Sequence, residues 1–128
     1  MEQIATGEFD VQLTPMGAAD AAIGGMAISK TFHGDLAATS TGQMLAVRTP
    51  VNGSAGYVAM ERVSGTLAGR KGTFALQHSG TMDKGAQNLS VTVVPDSATD
   101  DLTGLAGSMA INIEGGKHLY TFRYSLAR

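Results

Sequence analysis

The strongest constraint on the fold is a short motif that occurs twice in the chain. Residues 67–76 read LAGRKGTFAL and residues 102–111 read LTGLAGSMAI. In both copies the apolar residues on either side of a Gly-x-x-Gly element alternate with period two, as strand residues do. We therefore predict that each copy is a β-hairpin corner, in which glycines adopt turn conformations that a Cβ would strain.

The rest of the chain repeats this pattern of short strands and tight turns. Alternating apolar segments are separated by turn signals about every 8–12 residues, a spacing typical of a sandwich or a barrel. The clearest signals are Gly34-Asp35, Pro50 to Gly53, Asp83 to Gly85 and Glu114 to Lys117. Since closure removes exposed edge strands, we predict an all-β fold: one antiparallel closed barrel of about eight strands, forming a single domain over residues 1–128.

The third predicted strand, Leu36 to Thr49, contains a discontinuity. Its apolar residues fall on one parity at Leu36 and Ala38 and on the other at Leu45 and Val47. A glycine between two parities is typical of a bulge. We therefore predict a bulge or bend at Gly42.

Composition excludes several classes of function. The chain has 43% hydrophobic but only 5% aromatic residues, which predicts a core built mainly from aliphatic side chains and methionine. Its net charge is −2 and it has no block of lysine and arginine, so we expect neither nucleic acid nor a membrane as a partner. The absence of cysteine excludes disulfides and thiolate metal sites, and we expect no cofactor.

Two features that the sequence lacks predict the cellular location of the protein. The segment Met1 to Ala5 lacks the basic start and apolar core of a signal peptide. No apolar run approaches the roughly 20 residues that cross a bilayer. We expect a cytoplasmic protein.

Three ionisable residues occupy positions where the strand pattern predicts core. Lys30, Glu61 and His78 each share a strand face with apolar neighbours. If these faces point inward, the three side chains converge in the barrel. An apolar interior tends to raise the pKa of a carboxyl group, which suits a general acid or base. One interpretation is therefore a ligand pocket in which Glu61 transfers protons with the assistance of His78. Lys30 would set the electrostatic field of this pocket.

The alternative interpretation is structural. Lys30 and Glu61 can form an ion pair inside the barrel, or extend their charged ends to its mouth. Lys30 is also a candidate ligand-binding residue, together with Tyr57, which shares the face of Glu61. The other candidates, on the last predicted strand at the parity of Phe122, are His118, Tyr120 and Tyr124. The three histidines show no ligand spacing, so no metal site is predicted.

Three segments resemble an uncharacterised bacterial family of small barrels, a domain of unknown function. They are residues 61–82 (ERVSGTLAGRKGTFALQHSGTM), 93–107 (VVPDSATDDLTGLAG) and 118–126 (HLYTFRYSL). The family is similar in fold to the plant allene oxide cyclases, sharing the Gly-x-Leu-x-Gly-x-x-Gly hairpin found here from Gly65 to Gly72. The chain departs from the family at Ala98 and Asp100, where the resemblance implies glycines.

The resemblance implies an allene oxide cyclase-like, calycin-like barrel, without a settled activity. The function we expect is binding of a small, mostly apolar molecule in the barrel interior or mouth. A second hypothesis is a cofactor-independent isomerase or cyclase with Glu61 as its acid or base and His78 beside it. A third, from a different class, is a structural barrel with a packed interior. Barrels of this kind often associate, so we expect a homo-oligomer.

Overall fold

Eight antiparallel strands form the barrel in the computed structural model, which describes residues 2–17 and 22–126. Each strand pairs with the next along the chain, and the eighth pairs with the first, so the predicted closed barrel is confirmed. Its likeness to allene oxide cyclase stays a prediction. The strands are β1 (Gln3–Met16), β2 (Gly24–Gly34), β3 (Leu36–Arg48), β4 (Ala55–Leu67), β5 (Arg70–Asp83), β6 (Ala86–Val93), β7 (Leu105–Glu114) and β8 (Lys117–Leu126).

One half of the barrel interior is filled with packed side chains. This half lies toward the end where β2 turns into β3 and β4 turns into β5, which we call the closed end. Fully buried residues there include Leu36, Leu67, Phe74 and Phe122. The stacked rings of Phe74 and Phe122, whose centroids are 5.9 Å apart, help to fill the space.

The loop between β6 and β7 covers the closed end. It contains a short 3₁₀ helix, Asp100–Leu102, and its Leu102 side chain is buried. Backbone hydrogen bonds from Val94 to Ala75 and from Thr99 to Thr73 fasten the loop to β5. Solvent is therefore kept out of the interior at this end.

At the opposite end of the barrel the described residues leave apolar side chains exposed, and we call it the open end. Here β3 turns into β4 and β5 turns into β6. Apolar residues that continue the inward-facing parity of their strands stay exposed, including Leu13 (48%), Leu89 (40%) and Ile113 (68%). A packed half and an uncovered apolar half thus share one barrel.

The two copies of the repeated motif fold differently. In the first copy Ala68 and Gly69 form a two-residue hairpin turn with φ of 50° and 84°, as predicted. The prediction of a second hairpin is wrong, because Leu102 ends the 3₁₀ helix and a strand begins only after Gly104. The residues preceding the second copy are polar and include Pro95, so no strand directly precedes Leu102 to form a hairpin with β7.

The predicted bulge at Gly42 is also wrong. β3 keeps an unbroken register with both neighbours, and Gly42 lies opposite Glu61. Leu45 and Val47 face outward and are 53% and 42% exposed, so the change of apolar parity reflects an apolar outer surface rather than a shift of the strand. Glycine is required here because a Cβ would lie 2.1 Å from the Met60 carbonyl oxygen.

Asp100, where the resemblance implies a glycine, carries a backbone cost. Asp100 adopts φ of 55°, in the left-handed region that favours glycine. Aspartate is one of the few residues that enter this region with a modest penalty. The loop over the closed end thus keeps a glycine-like conformation without the glycine.

Replacement of Gly42 by alanine should destabilise the barrel by about 2–3 kcal/mol, because the new methyl group must push apart two paired strands. Gly56→Ala is the matched control, since its Cβ would meet nothing closer than 3.8 Å. Urea unfolding of both variants measures the difference. Equal stabilities would show that β3 and β4 do not approach closely at Gly42.

Replacement of Asp100 by glycine should raise the free energy of unfolding by about 0.5–1 kcal/mol, because it removes the left-handed strain. Asp101, which has no positive φ, supplies the control. Asp101→Gly should lower stability by a similar amount through added chain entropy. If both substitutions lower stability, Asp100 is not strained.

Candidate functional site

The carboxylate of Glu61 lies at the centre of a buried polar cluster. Lys30 Nζ donates to Oε2 at 2.8 Å, and Ser40 Oγ donates to Oε1 at 2.7 Å. His78 Nε2 contacts Oε2 at 2.5 Å. The four residues come from β2, β3, β4 and β5, and each points inward because it shares the parity of a buried strand face.

Convergence of Lys30, Glu61 and His78 inside the barrel is confirmed, and so is the ion pair between Lys30 and Glu61. Ser40 was not predicted. Its signal was available, because Ser40 continues the buried parity of Leu36 and Ala38.

The expected rise in the pKa of Glu61 is wrong. Burial by itself does raise the pKa of this carboxyl group, but the hydrogen bond from His78, the positive charge and hydrogen bond of Lys30 and the hydrogen bond from Ser40 outweigh it. Together they lower the pKa to about 2. Glu61 is therefore ionised at neutral pH and is a weak base.

The ionised state of Glu61 determines which ring nitrogen of His78 carries a hydrogen. A carboxylate without a proton can only accept hydrogen bonds, and Oε2 accepts one from Lys30 as well. His78 Nε2 must therefore carry hydrogen and donate it to Glu61. In neutral His78 the other ring nitrogen, Nδ1, then holds a free lone pair.

Lys30 has aromatic as well as acidic partners. Its Nζ lies 4.7 Å from the centre of the Phe9 ring and 5.8 Å from that of Phe32. Both distances fall within the range of cation–π contacts. These contacts help to compensate for burying the charge.

Access to the cluster differs among its members. The Glu61 side chain is 0% exposed, whereas those of His78 and Lys30 retain 4% and 7%. Glu61 is therefore fully enclosed, whereas His78 and Lys30 each keep a small exposed area.

A cavity of about 330 Å³ lies at the open end beside this cluster. Tyr57, Met44, Met82 and Leu89 line it, and the exposed Arg48 stands at its rim. Burial, followed by the negative charge of Glu61, raises the pKa of Tyr57. Tyr57 thus lines the cavity, and the charge of Glu61 affects its pKa.

The structure separates the other aromatic candidates from this cavity. Tyr120 is buried, and its hydroxyl donates to the His33 carbonyl and accepts from the Leu36 amide. Tyr124 is also buried, with its hydroxyl on Gln3. His118 lies elsewhere around the barrel, with its ring 5.1 Å from that of Phe9.

Within residues 2–17 and 22–126, no group of three or more histidine, cysteine, aspartate or glutamate side chains is placed to hold a metal ion. The part of the chain that the structure describes also contains no helix with the length and apolar character to cross a membrane.

The fold and the cluster define a class: a small closed β-barrel with a charged group held inside by three donors. The model of the family "Protein of unknown function (DUF3224)" matches residues 5–124, so the chain belongs to that family. This confirms the resemblance to a family of unknown function. No curated protein matches the chain.

A solved structure supports the same assignment. The chain is similar to a DUF3224 protein of unknown function from Shewanella oneidensis MR-1, with 48% sequence identity and a TM-score of 0.95. The match covers 100% of this chain and 99% of that chain. The comparisons thus establish family and fold and leave the activity to be argued from the site.

The lowered pKa of Glu61 predicts a loss of stability in acid. Ionised Glu61 is stabilised in the folded state, so the contribution is present above its ordinary pKa of 4.5 and is lost as pH falls toward 2. The reference is the double variant Lys30→Met with Glu61→Gln, which lacks the ion pair. Between pH of about 6 and 2, unmodified protein should lose about 3 kcal/mol more than this reference.

Urea unfolding across that pH range measures both proteins. The reference keeps every other carboxyl group, so their titration cancels in the comparison. Parallel pH profiles would contradict a lowered pKa at Glu61. The single variant Glu61→Gln should be less stable than the double variant by about 3 kcal/mol or more, because it leaves Lys30 buried without a counter-charge.

Proposed function

We propose that the protein binds a small, mostly apolar molecule in the cavity at the open end of the barrel. The observation that carries the proposal is the contrast between the two halves of the interior. One half is packed, whereas in the other half Leu13, Leu89 and Ile113 remain exposed at inward-facing positions. Exposed apolar surface in a concave site is typical of ligand binding.

The cavity has suitable dimensions and lining. Its volume of about 330 Å³ falls at the lower end of the range for small-molecule sites, roughly 300–1,000 Å³. Met44 and Met82 on its wall have flexible, polarisable side chains that adapt to ligands of different shape. The charged cluster next to the cavity is internally neutralised, so it does not demand a charged ligand.

A second candidate function is a cofactor-independent isomerase or cyclase. The enclosed Glu61 cannot touch a substrate, so a reaction would proceed through His78. Glu61 would hold the imidazole in one orientation and stabilise its protonated form, as the carboxylate does in nucleophile–base–carboxylate triads. Nδ1 would take a proton from one substrate atom and return it to another, which leaves the enzyme unchanged.

The structural hypothesis of a homo-oligomer is favoured by a different surface. Four apolar side chains, Leu45, Val47, Val58 and Met60, are 42–53% exposed on the outer faces of β3 and β4. An uncharged patch can pack against the same patch of a second copy without charge repulsion. This assembly is compatible with a ligand in the barrel, since the patch lies outside it.

Filling the cavity should remove the ligand. In Ala46→Trp a bulky side chain enters the cavity from β3, and Ala37→Trp places the same side chain at an exposed position on the same strand. Protein purified from cells is measured by native mass spectrometry and then extracted for small molecules. We expect a bound molecule in unmodified protein and in Ala37→Trp, and its loss in Ala46→Trp.

Different outcomes separate the hypotheses. An apolar molecule bound equally to all three proteins would contradict the proposed site. Empty protein of defined oligomeric mass would favour the structural hypothesis. A molecule that changes its chemical structure when His78 is replaced would favour the enzyme, because substrate would accumulate in place of product.

A further inference from the structure

His78 presents a hydrogen-bond acceptor that the protein itself leaves unused. Nε2 donates to Glu61 Oε2, which leaves the lone pair of Nδ1 in neutral His78. No described residue hydrogen-bonds to Nδ1, yet every fully enclosed side-chain nitrogen or oxygen among the described residues has a partner. Nδ1 therefore keeps some exposed area, in agreement with the 4% exposure of the side chain. His78 shares the inward face of β5 with Gly80 and Met82, which line the cavity.

The remaining polar atoms of the cluster are already engaged. Glu61 accepts from Lys30, Ser40 and His78, and it is fully enclosed. The Lys30 ammonium group is neutralised by Glu61 and lies over the Phe9 ring. The cluster therefore has little net charge, and His78 Nδ1 is its one polar atom without a hydrogen-bond partner among the described residues.

This inference rests on the proposed function and specifies the ligand. We propose that the ligand is uncharged and carries a hydroxyl group, as in an alcohol or a phenol, which donates to His78 Nδ1 while its apolar body occupies the cavity at the open end. A hydroxyl group satisfies the free lone pair. An anionic group would instead lose its hydration among apolar side chains, and the neutralised cluster offers no net positive charge to compensate.

Three probes with the same ring system test the proposal: naphthol, methoxynaphthalene and naphthoate. They share an apolar body and differ in a hydroxyl donor, a capped oxygen and an anion. We expect naphthol to bind about three- to tenfold more tightly than methoxynaphthalene, which corresponds to one hydrogen bond. Long-range proton–nitrogen correlation spectra should show a pyridine-type Nδ1 in the free protein, whose resonance shifts on addition of naphthol only.

A variant assigns the preference to His78. In His78→Phe a ring of similar shape remains but both nitrogens are gone, and Glu61 keeps its hydrogen bonds from Lys30 and Ser40. The preference for naphthol over methoxynaphthalene should disappear. Gln77→Ala is the matched control, because Gln77 is the preceding residue on the outward face, and it should keep the full preference.

Each other outcome overturns the inference in a recognisable way. Equal affinities for naphthol and methoxynaphthalene, with shifts at Tyr57 and Met82, would refute the hydroxyl donor and leave the proposed cavity intact. Tightest binding of naphthoate, lost in Arg48→Gln, would show that the rim selects an anion instead. No binding of any probe, together with empty protein from cells, would refute both the inference and the proposed function.

Discussion

The buried carboxylate of Glu61 is the constraint on which the rest of the barrel depends. A charge removed from water is costly unless it is paired and hydrogen-bonded, and Glu61 meets this requirement only when three other strands supply Lys30, Ser40 and His78. A register slip of one residue would turn a donor to the outside and leave the charge unsatisfied. We infer that the cluster contributes more to selecting one register of β2 to β5 than to net stability.

The cluster also explains how one small barrel can combine a packed core with an open cavity. Aromatic and aliphatic side chains fill the closed end, and the loop carrying Leu102 covers it. Beyond the cluster the apolar lining continues to the open end without being covered. Because Lys30, Ser40 and His78 all hydrogen-bond to Glu61, the cluster forms a polar boundary between the packed half and the open half of the interior.

Sequence patterns predicted the strands and the inward positions of Lys30, Glu61 and His78, because side chains alternate strictly in an extended chain. These patterns gave wrong predictions where the same residues are compatible with two different local structures. Gly42 was interpreted as a bulge, whereas it permits close approach of paired strands. The second copy of the repeated motif was interpreted as a hairpin, although it is preceded directly by a 3₁₀ helix and not by a strand.

The sequence by itself determined the all-β class, the approximate strands and the ionisable residues that face inward, since these depend on local alternation and turn chemistry. Only the tertiary structure decided the direction of the pKa shift at Glu61. Burial and ion pairing act in opposite directions, and their balance depends on donors that lie far apart in the chain. The tertiary structure likewise decided which half of the interior is filled, because packing depends on how eight strands and one loop meet in space.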